Sequence, residues 1–307
     1  MNAGMKQPLV SICCITYNHS EYIRQCLDGF LMQRTSFSYE IIINDDCSTD
    51  GTTDIIREYE ERYPTQIVPI YHVENEYSKG VRGMFATYCF PKAKGKYIAM
   101  CEGDDYWIDP LKLQKQVDFM EANPEVDLVW TRAKCYGQSK NAYLYELGEK
   151  ALSFDDLLQK NTIPTLTVAF RKSAIDGFQA VLEGKTWRMG DYPLWLYISL
   201  GGRIHFLDEV TSVYRYLDES ASHSKSYESA KKFRESAYEI RKYFSKYSKK
   251  ANISQILLSE YNHICFCLAF QYKEHSDVVT FYKELNPQSL TMKDRLKYMI
   301  SRIALVF

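Results

Sequence analysis

The chain lacks a strong charge of either sign: 38 Lys and Arg stand against 39 Asp and Glu, a formal net charge of -1. No global field therefore draws it to nucleic acid, and any charge argument has to be local. Long apolar runs are also missing. The longest are far too short to span a bilayer, and Met1 to Pro8 holds no apolar stretch of the kind a secretory signal needs. Nor is there a cysteine staple. The nine cysteines are an odd count without framework spacing. Cys13, Cys14 and Cys101 fall in apolar runs, and Cys265 and Cys267 in a helical apolar stretch. They read as reduced core thiols of a cytoplasmic protein. A zinc site at Cys265 and Cys267 would need a second ligand pair of zinc-like spacing, which is absent. Repeats and low-complexity tracts are absent too. What is there is an ordinary globular composition, 46% hydrophobic and 25% charged over 307 residues. That length accommodates one large α/β domain with a helical appendage, or two ordinary domains.

Strand and helix patterns alternate through the first part. Leu9 to Thr16, Tyr39 to Asn44, Ile67 to Tyr71, Tyr97 to Cys101 and Val126 to Thr131 are apolar runs bounded by turn residues, which predicts buried strands. Between them lie helical patterns: one opened by Ser20 as N-cap, one from Thr52 or Thr53 to Pro64, Met84 to Phe90, and Pro110 to Ala122. Such alternation predicts βαβ units and a mainly parallel sheet flanked by helices. Ligands of such sheets sit outside the carboxyl ends of the strands. Thr16, Asp46 and Asp104 all fall at predicted carboxyl ends, so they should meet on one rim. Later, Leu166 to Phe170, Arg203 to Leu207 and Val210 to Tyr216 read as strands, and the segment after Pro193 as a helix. From Tyr227 onward the chain is helical and basic.

Two acidic constellations carry chemistry. Asn44-Asp45-Asp46-Cys47-Ser48-Thr49-Asp50-Gly51-Thr52 joins a strand to a helix. A capped turn explains its Ser, Thr and Asp50, but not two carboxylates side by side at a strand end. Neighbouring strand residues face opposite ways, so one of Asp45 and Asp46 should meet a ligand, accepting from a base N–H or a ribose hydroxyl. Glu102-Gly103-Asp104-Asp105 sets three carboxylates within four residues. They repel unless a cation is present, and their hard oxygens suit Mg²⁺ or Mn²⁺. Gly103 would let a bulky diphosphate approach. The plain alternative is a solvated acidic turn.

The ordered set Val10-Ser11-Ile12…Thr16-Tyr17-Asn18, then the Asn44 to Thr52 run, then Lys94-Gly95-Lys96-Tyr97-Ile98…Glu102-Gly103-Asp104-Asp105, resembles the family 2 glycosyltransferases of the GT-A fold over roughly residues 8 to 217. The resemblance implies a Rossmann-like nucleotide half, a nucleoside diphosphate-sugar donor, often UDP-linked, a divalent cation, Mn²⁺ or Mg²⁺, and inversion at the anomeric carbon. It implies donor contacts at Thr16, Tyr17, Asn18, Asp45, Asp46, Ser48, Glu102, Gly103 and Asp104, and metal ligation by Asp104 or Asp105. The family has Asp-x-Asp where this chain has Glu102 first. It also implies a catalytic base at Asp191, in Met189-Gly190-Asp191-Tyr192-Pro193, where Gly190 replaces a first acid. An Asp there is also a good helix N-cap. Trp195 would lie beneath the acceptor sugar or pack in the core. Arg215, in Tyr214-Arg215-Tyr216, would pair with phosphate. His223 in the following loop is a metal candidate or a solvated histidine, and Lys79 and Arg82 are phosphate candidates or surface charges.

The expected architecture is a GT-A domain over 8–217, with 8–131 holding the donor and 132–217 supplying the base and acceptor wall, then a helical extension over 218–307. The acceptor would be a hydroxyl of a glycan or lipid-linked glycan. The C-terminal stretch sets Lys293, Arg295, Lys297 and Arg302 among apolar residues. It reads as a basic amphipathic helix for peripheral membrane contact at the inner face of a cytoplasmic membrane, or as a helix packed on its own domain. Two other functions fit less well. A nucleotidyltransferase would show a Gly-rich basic loop near the N-terminus, which Thr16-Tyr17-Asn18-His19 is not. A non-catalytic sugar-nucleotide-binding scaffold would account for Glu102 and Gly190.

Overall fold

The computed structural model describes residues 7–151, 153–201, 203–217 and 226–306. The chain divides into two compact units, Met1–Thr186 with Gly190–Tyr216, and Trp187–Met189 with Leu217–Phe307.

The first unit is α/β. In chain order it contains β1 (Val10–Thr16), α1 (Ile23–Leu31), β2 (Tyr39–Asp45), α2 (Thr52–Arg62), β3 (Ile67–Tyr71), β4 (Tyr97–Glu102), β5 (Tyr106–Trp107), α3 (Lys112–Ala122), β6 (Leu128–Gly137), β7 (Ala142–Leu147), α4 (Phe154–Gln159), β8 (Ala169–Arg171), α5 (Phe178–Leu182), α6 (Asp191–Ser199) and β9 (Ile204–Tyr216). One sheet runs β3-β2-β1-β4-β8-β6-β9-β5, with β7 on β6. Its first four strands are parallel. Beyond them β8 runs antiparallel to both neighbours, β6 and β9 are parallel, and β5 and β7 are antiparallel additions. The sheet is therefore mixed, its parallel part being the one the apolar runs announced.

Strands covered on both faces can be apolar at every position. Ile12, Cys14, Ile41, Ile43, Ala99 and Cys101 are fully buried with Leu27 and Phe30 of α1. Ser20 does not cap α1. Its backbone N–H is already bonded to Asp50 Oδ2 at 2.9 Å, and the helix begins at Ile23 with no side-chain cap. Met84 to Phe90 is helical as expected but holds a single π turn, Phe85–Cys89. Leu166 to Phe170 gives a 3₁₀ turn, Thr165–Thr167, before the short β8. The two strands expected at the end of the domain are one bulged strand: the β6–β9 register slips where Asp208 and Glu209 turn outward to pair with Arg132 and Lys115.

The start of the sheet is locked by a buried polar knot. Glu40 Oε1 accepts from Ser11 Oγ and from the Lys94 N–H, both at 2.7 Å, and Ser11 Oγ accepts from the Gly95 N–H at 2.9 Å. Chain 94–96 passes so close to β1 that a Cβ on Gly95 would stand 2.6 Å from Ser11 N and 2.7 Å from Val10 C.

The second unit is helical: α7 (Tyr227–Phe244), α8 (Ile253–Gln271), α9 (His275–Lys283) and α10 (Met292–Ala304). Phe266, Ala269, Val278 and Leu285 form its core with Tyr227. Asp277 ties α7 to α9 by accepting from the Tyr227 hydroxyl at 2.5 Å and from Lys231 Nζ at 2.7 Å. Among the described residues, no helix is long and apolar enough to cross a membrane.

Because the atoms crowding Gly95 are backbone, Gly95→Ala should lower stability by about 1–3 kcal/mol through overpacking. Thermal unfolding measures it, and an unchanged midpoint would mean that the chain at the start of β4 can shift freely.

Candidate functional site

Parallel pairing fixes the site. Thr16 is in register with Asp45, and Ile15 with both Asn44 and Glu102. The carboxyl ends of β2, β1 and β4 therefore form one rim, and the acidic segments after β2 and β4 flank the end of β1.

The loops after β1 and β2 are zipped together. Asn18, at φ 55°, accepts the Thr49 N–H on Oδ1 at 2.8 Å and donates its own N–H to Ser48 Oγ at 2.9 Å. Asp50 accepts from the N–H groups of Ser20 and Thr52 at 2.9 and 3.0 Å. Burial opposes its charge, but these bonds and the Thr52 hydroxyl outweigh it and bring its pKa down to about 2. Asn18 and Ser48, expected to touch a donor, are thus committed to joining two loops.

Asp45 is committed too. It is buried, and its carboxylate takes the Ser48 N–H, the Ser48 hydroxyl and the Thr53 hydroxyl. It closes the turn into α2, with both carboxylate oxygens bonded within that turn. Asp46 faces the other way. It accepts the N–H groups of Glu76 and Tyr77 at 2.7 and 3.1 Å, anchoring the 75–78 loop on the rim. Lys79 and Arg82 belong to that loop's own structure. Lys79 pairs with Glu74 and Glu76. Arg82 bonds the Tyr77 and Val81 carbonyls at 2.8 Å and lies over the Tyr77 ring. Neither cation is held ready for phosphate.

After β4 the carboxylates separate by direction. Asp105 is 2% exposed, and its Oδ1 accepts the Arg215 N–H of β9 at 2.7 Å. Burial and then Asp104 and Glu102 push its pKa well above the usual carboxylate range. It ties β4 to β9 through that oxygen. The Asp104 side chain is 20% exposed with His19 Nε2 at 3.9 Å, and among the described residues no hydrogen bond reaches it. At Gly103 a Cβ would stand 2.6 Å from Thr16 Oγ1, so the glycine lets β1's end and His19 pack against the turn. Thr16 is buried, its hydroxyl 3.2 Å from His19 Nδ1, while Tyr17 is exposed.

Glu102 connects this turn to α6. Its pKa is raised to about 8 by burial, then by Asp104, then by Asp191. Asp191, in the first turn of α6, is itself raised by burial. Thr165 donates to Asp191 Oδ2 at 3.4 Å and also steadies the Glu102 carboxylate. Nothing in the sequence marked Thr165, which lies just before the strand expected over Leu166 to Phe170. Gly190 has a steric reason: a Cβ there would meet Gly83 Cα at 2.9 Å, leaving no room for an acid. Trp195 is fully buried and packs edge-on to Phe170, so it presents no surface to an acceptor.

Arg215 is buried with its guanidinium 5.1 Å from the Tyr22 ring centroid and 4.5 Å from that of Tyr106, and it donates to Gln25. Its Nε has no partner. The cage residues Tyr22, Gln25 and Tyr106 were not foreseen, because they come from two segments that only folding brings together. His223 lies outside the described residues. In the second unit, Cys265 is buried in the core. Cys267 instead shares a spot with His263 and Asp294, but Lys297 Nζ stands there, 3.3 Å from Cys267 Sγ and 4.0 Å from Asp294.

The family model for glycosyl transferase family 2 matches residues 11–177. An uncharacterised protein of Mycobacterium tuberculosis is 39% identical over 230 residues, covering 73% of this chain and 63% of that protein, so the match spans under two thirds of its length. A putative teichuronic acid biosynthesis glycosyltransferase of Bacillus subtilis is 30% identical over 229 residues, 74% of this chain and 86% of that one. Among solved structures, Staphylococcus aureus TarS in complex with UDP superposes with a TM-score of 0.60 at 15% identity, covering 95% of this chain and 78% of that one. At that identity the likeness is one of fold.

The raised Glu102 pKa has a consequence for stability. A carboxyl whose folded pKa exceeds its unfolded value of 4.5 favours the folded state fully below that value. The contribution is lost as pH rises through about 8. Chelator-treated protein should therefore lose thermal stability across that window, and Glu102→Gln should flatten the loss and raise the midpoint at pH 8. Thermal unfolding against pH checks it; identical profiles for the two proteins would remove Glu102 as the cause.

Proposed function

This chain belongs to glycosyl transferase family 2 and has the GT-A fold, and from that premise we propose that it moves a sugar from a nucleoside diphosphate-sugar, UDP-linked, to a hydroxyl of a glycan or lipid-linked glycan, with inversion. The observation that carries the proposal is that the turn after β4, with Glu102 and Asp104, ends on the same rim as the acidic turn after β2, with Asp191 near enough to Glu102 to help raise its pKa. UDP is favoured by the nucleotide named in the TarS complex, and a polysaccharide acceptor by the teichuronic acid role named for the Bacillus relative.

In this reading the nucleoside lies along Thr16, the exposed Tyr17 and the Asp46-anchored loop. A divalent cation, Mn²⁺ or Mg²⁺, fits the donor set: Asp104 is open and unbonded, and Glu102 beside it is kept protonated partly by the neighbouring charges that a cation would offset. Those two residues would hold it, and its chemistry there is to neutralise charge on the departing diphosphate. The caged Arg215, with Nε unspent, gives the same region a fixed positive charge.

Asp191 acts as general base, taking the acceptor hydroxyl's proton as that oxygen attacks the anomeric carbon. Burial raises its pKa, so its carboxylate is a stronger base than an exposed one. Thr165 holds Oδ2, and the N–H of Tyr192 steadies the same carboxylate, so its orientation is set before the acceptor arrives. Nine free thiols suit a reducing, cytoplasmic setting.

A panel of nucleotide-sugars with Mn²⁺ should contain one that raises the thermal midpoint, because a ligand of the native state stabilises it. Asp191→Asn should cut nucleotide release in the presence of acceptor by at least about a hundredfold while leaving that shift intact. Asp104→Asn should abolish the Mn²⁺-dependent part of the shift. Ordinary turnover by Asp191→Asn would remove it from the base role, and donor binding without any transfer by the unmodified protein would make it a binding protein.

A further inference from the structure

A surface helix usually turns its apolar stripe inward and its charges to water. α10 does the reverse. Its buried side chains are polar: Asp294, which closes a capping box with Thr291 and lies 3.4 Å from His263 Nε2, and Ser301, bonded to His275 Nδ1 at 3.1 Å. Its outward face is apolar. Met292, Leu296, Met299, Ile300 and Ile303 follow one another at helical spacing and are 44% to 84% exposed. Val306 continues the stripe.

At about 100° per residue, Arg295 and Arg302 border this stripe on one side and Lys293 on the other. All three are exposed, whereas Asp294, the one acid between Leu285 and Val306, is buried. The face therefore offers apolar side chains framed by uncompensated cations. A second copy of the chain would set those cationic borders against each other without an acid between them. A surface with an apolar interior and an anionic rim complements both features.

We infer that α10 lies in the interface of an anionic lipid bilayer, with Leu296, Met299, Ile300 and Ile303 in the boundary between headgroups and acyl chains and Lys293, Arg295 and Arg302 against lipid phosphates. The helix lies on the membrane and does not cross it. The contact is separate from the transfer reaction, since it can be read without donor or acceptor.

Co-sedimentation of the full chain with vesicles of equal parts phosphatidylglycerol and phosphatidylcholine tests it, with phosphatidylcholine alone as the second arm. The protein should pellet with the anionic vesicles, weakly with the neutral ones, and less in high salt. Arg295→Gln with Arg302→Gln should weaken binding about twenty-five-fold, from roughly fivefold per cation. Leu296→Ser with Ile303→Ser should abolish it at an unchanged thermal midpoint, both side chains being exposed. Failure to pellet with anionic vesicles overturns the inference, as does equal binding to both vesicle types. A dimer in solution that the Leu296/Ile303 pair of changes dissolves, without vesicle binding, would assign the face to a second copy and overturn it too.

Discussion

Parallel pairing of β1 with β2 on one side and β4 on the other is the constraint from which the rest of the first unit follows. Strands that run the same way end at the same edge, so whatever follows β2 and β4 must share that edge with the end of β1. The buried knot of Glu40, Ser11 and Gly95 fixes the opposite end of this trio. With register pinned there, the rim cannot slip by a residue without turning every core side chain to the wrong face. Precision at the rim is thus supplied from the far end of the strands, by groups that never approach a ligand.

The rim also gathers more carboxylates than a fold would need for stability, and the structure sorts them. Asp45, Asp50 and Asp105 have donors of their own and work as joints: turn to helix, loop to loop, β4 to β9. Asp46 anchors a loop with its carboxylate. Asp104 has no hydrogen-bond donor among the described residues, and the Thr165 hydroxyl and backbone bonding of Glu102 do not offset its burial and the nearby Asp104 and Asp191. Carboxylates crowded without donors are unfavourable in the protein alone and favourable once a cation or a proton is supplied. The division is therefore physical: saturated carboxylates build the site, and unsaturated ones are available to chemistry.

Much of this was legible in the chain. Buried parallel strands leave continuous apolar runs, so β1 to β4 and the acidic segments at their ends could be read directly. The two-residue β5 and the exposed β7 leave no such run. Direction was not legible either. Asp104 and Asp105 are adjacent and chemically alike; what separates them is the Arg215 N–H, supplied from the far end of the domain. Gly103 and Gly190 looked like room for a ligand or a missing acid, and are places where Thr16 and Gly83 come too close for a side chain. Trp195 followed a promising Asp, but helix geometry turned it into the core.

The same limit governs α10. A basic amphipathic pattern has an apolar side whichever way the helix is turned, so periodicity cannot say whether that side faces the protein or the solvent. Burial decides it here, because Asp294 and Ser301 take the inward positions. Asp294 can do so only because Thr291 satisfies one of its oxygens and His263 faces the other. Without those partners a buried carboxylate would be costly and the helix would gain by rolling over, hiding its stripe. The polar inner contacts thus hold the apolar face outward. Exposing that face costs apolar hydration, a cost that burial of the stripe in any apolar surrounding would remove.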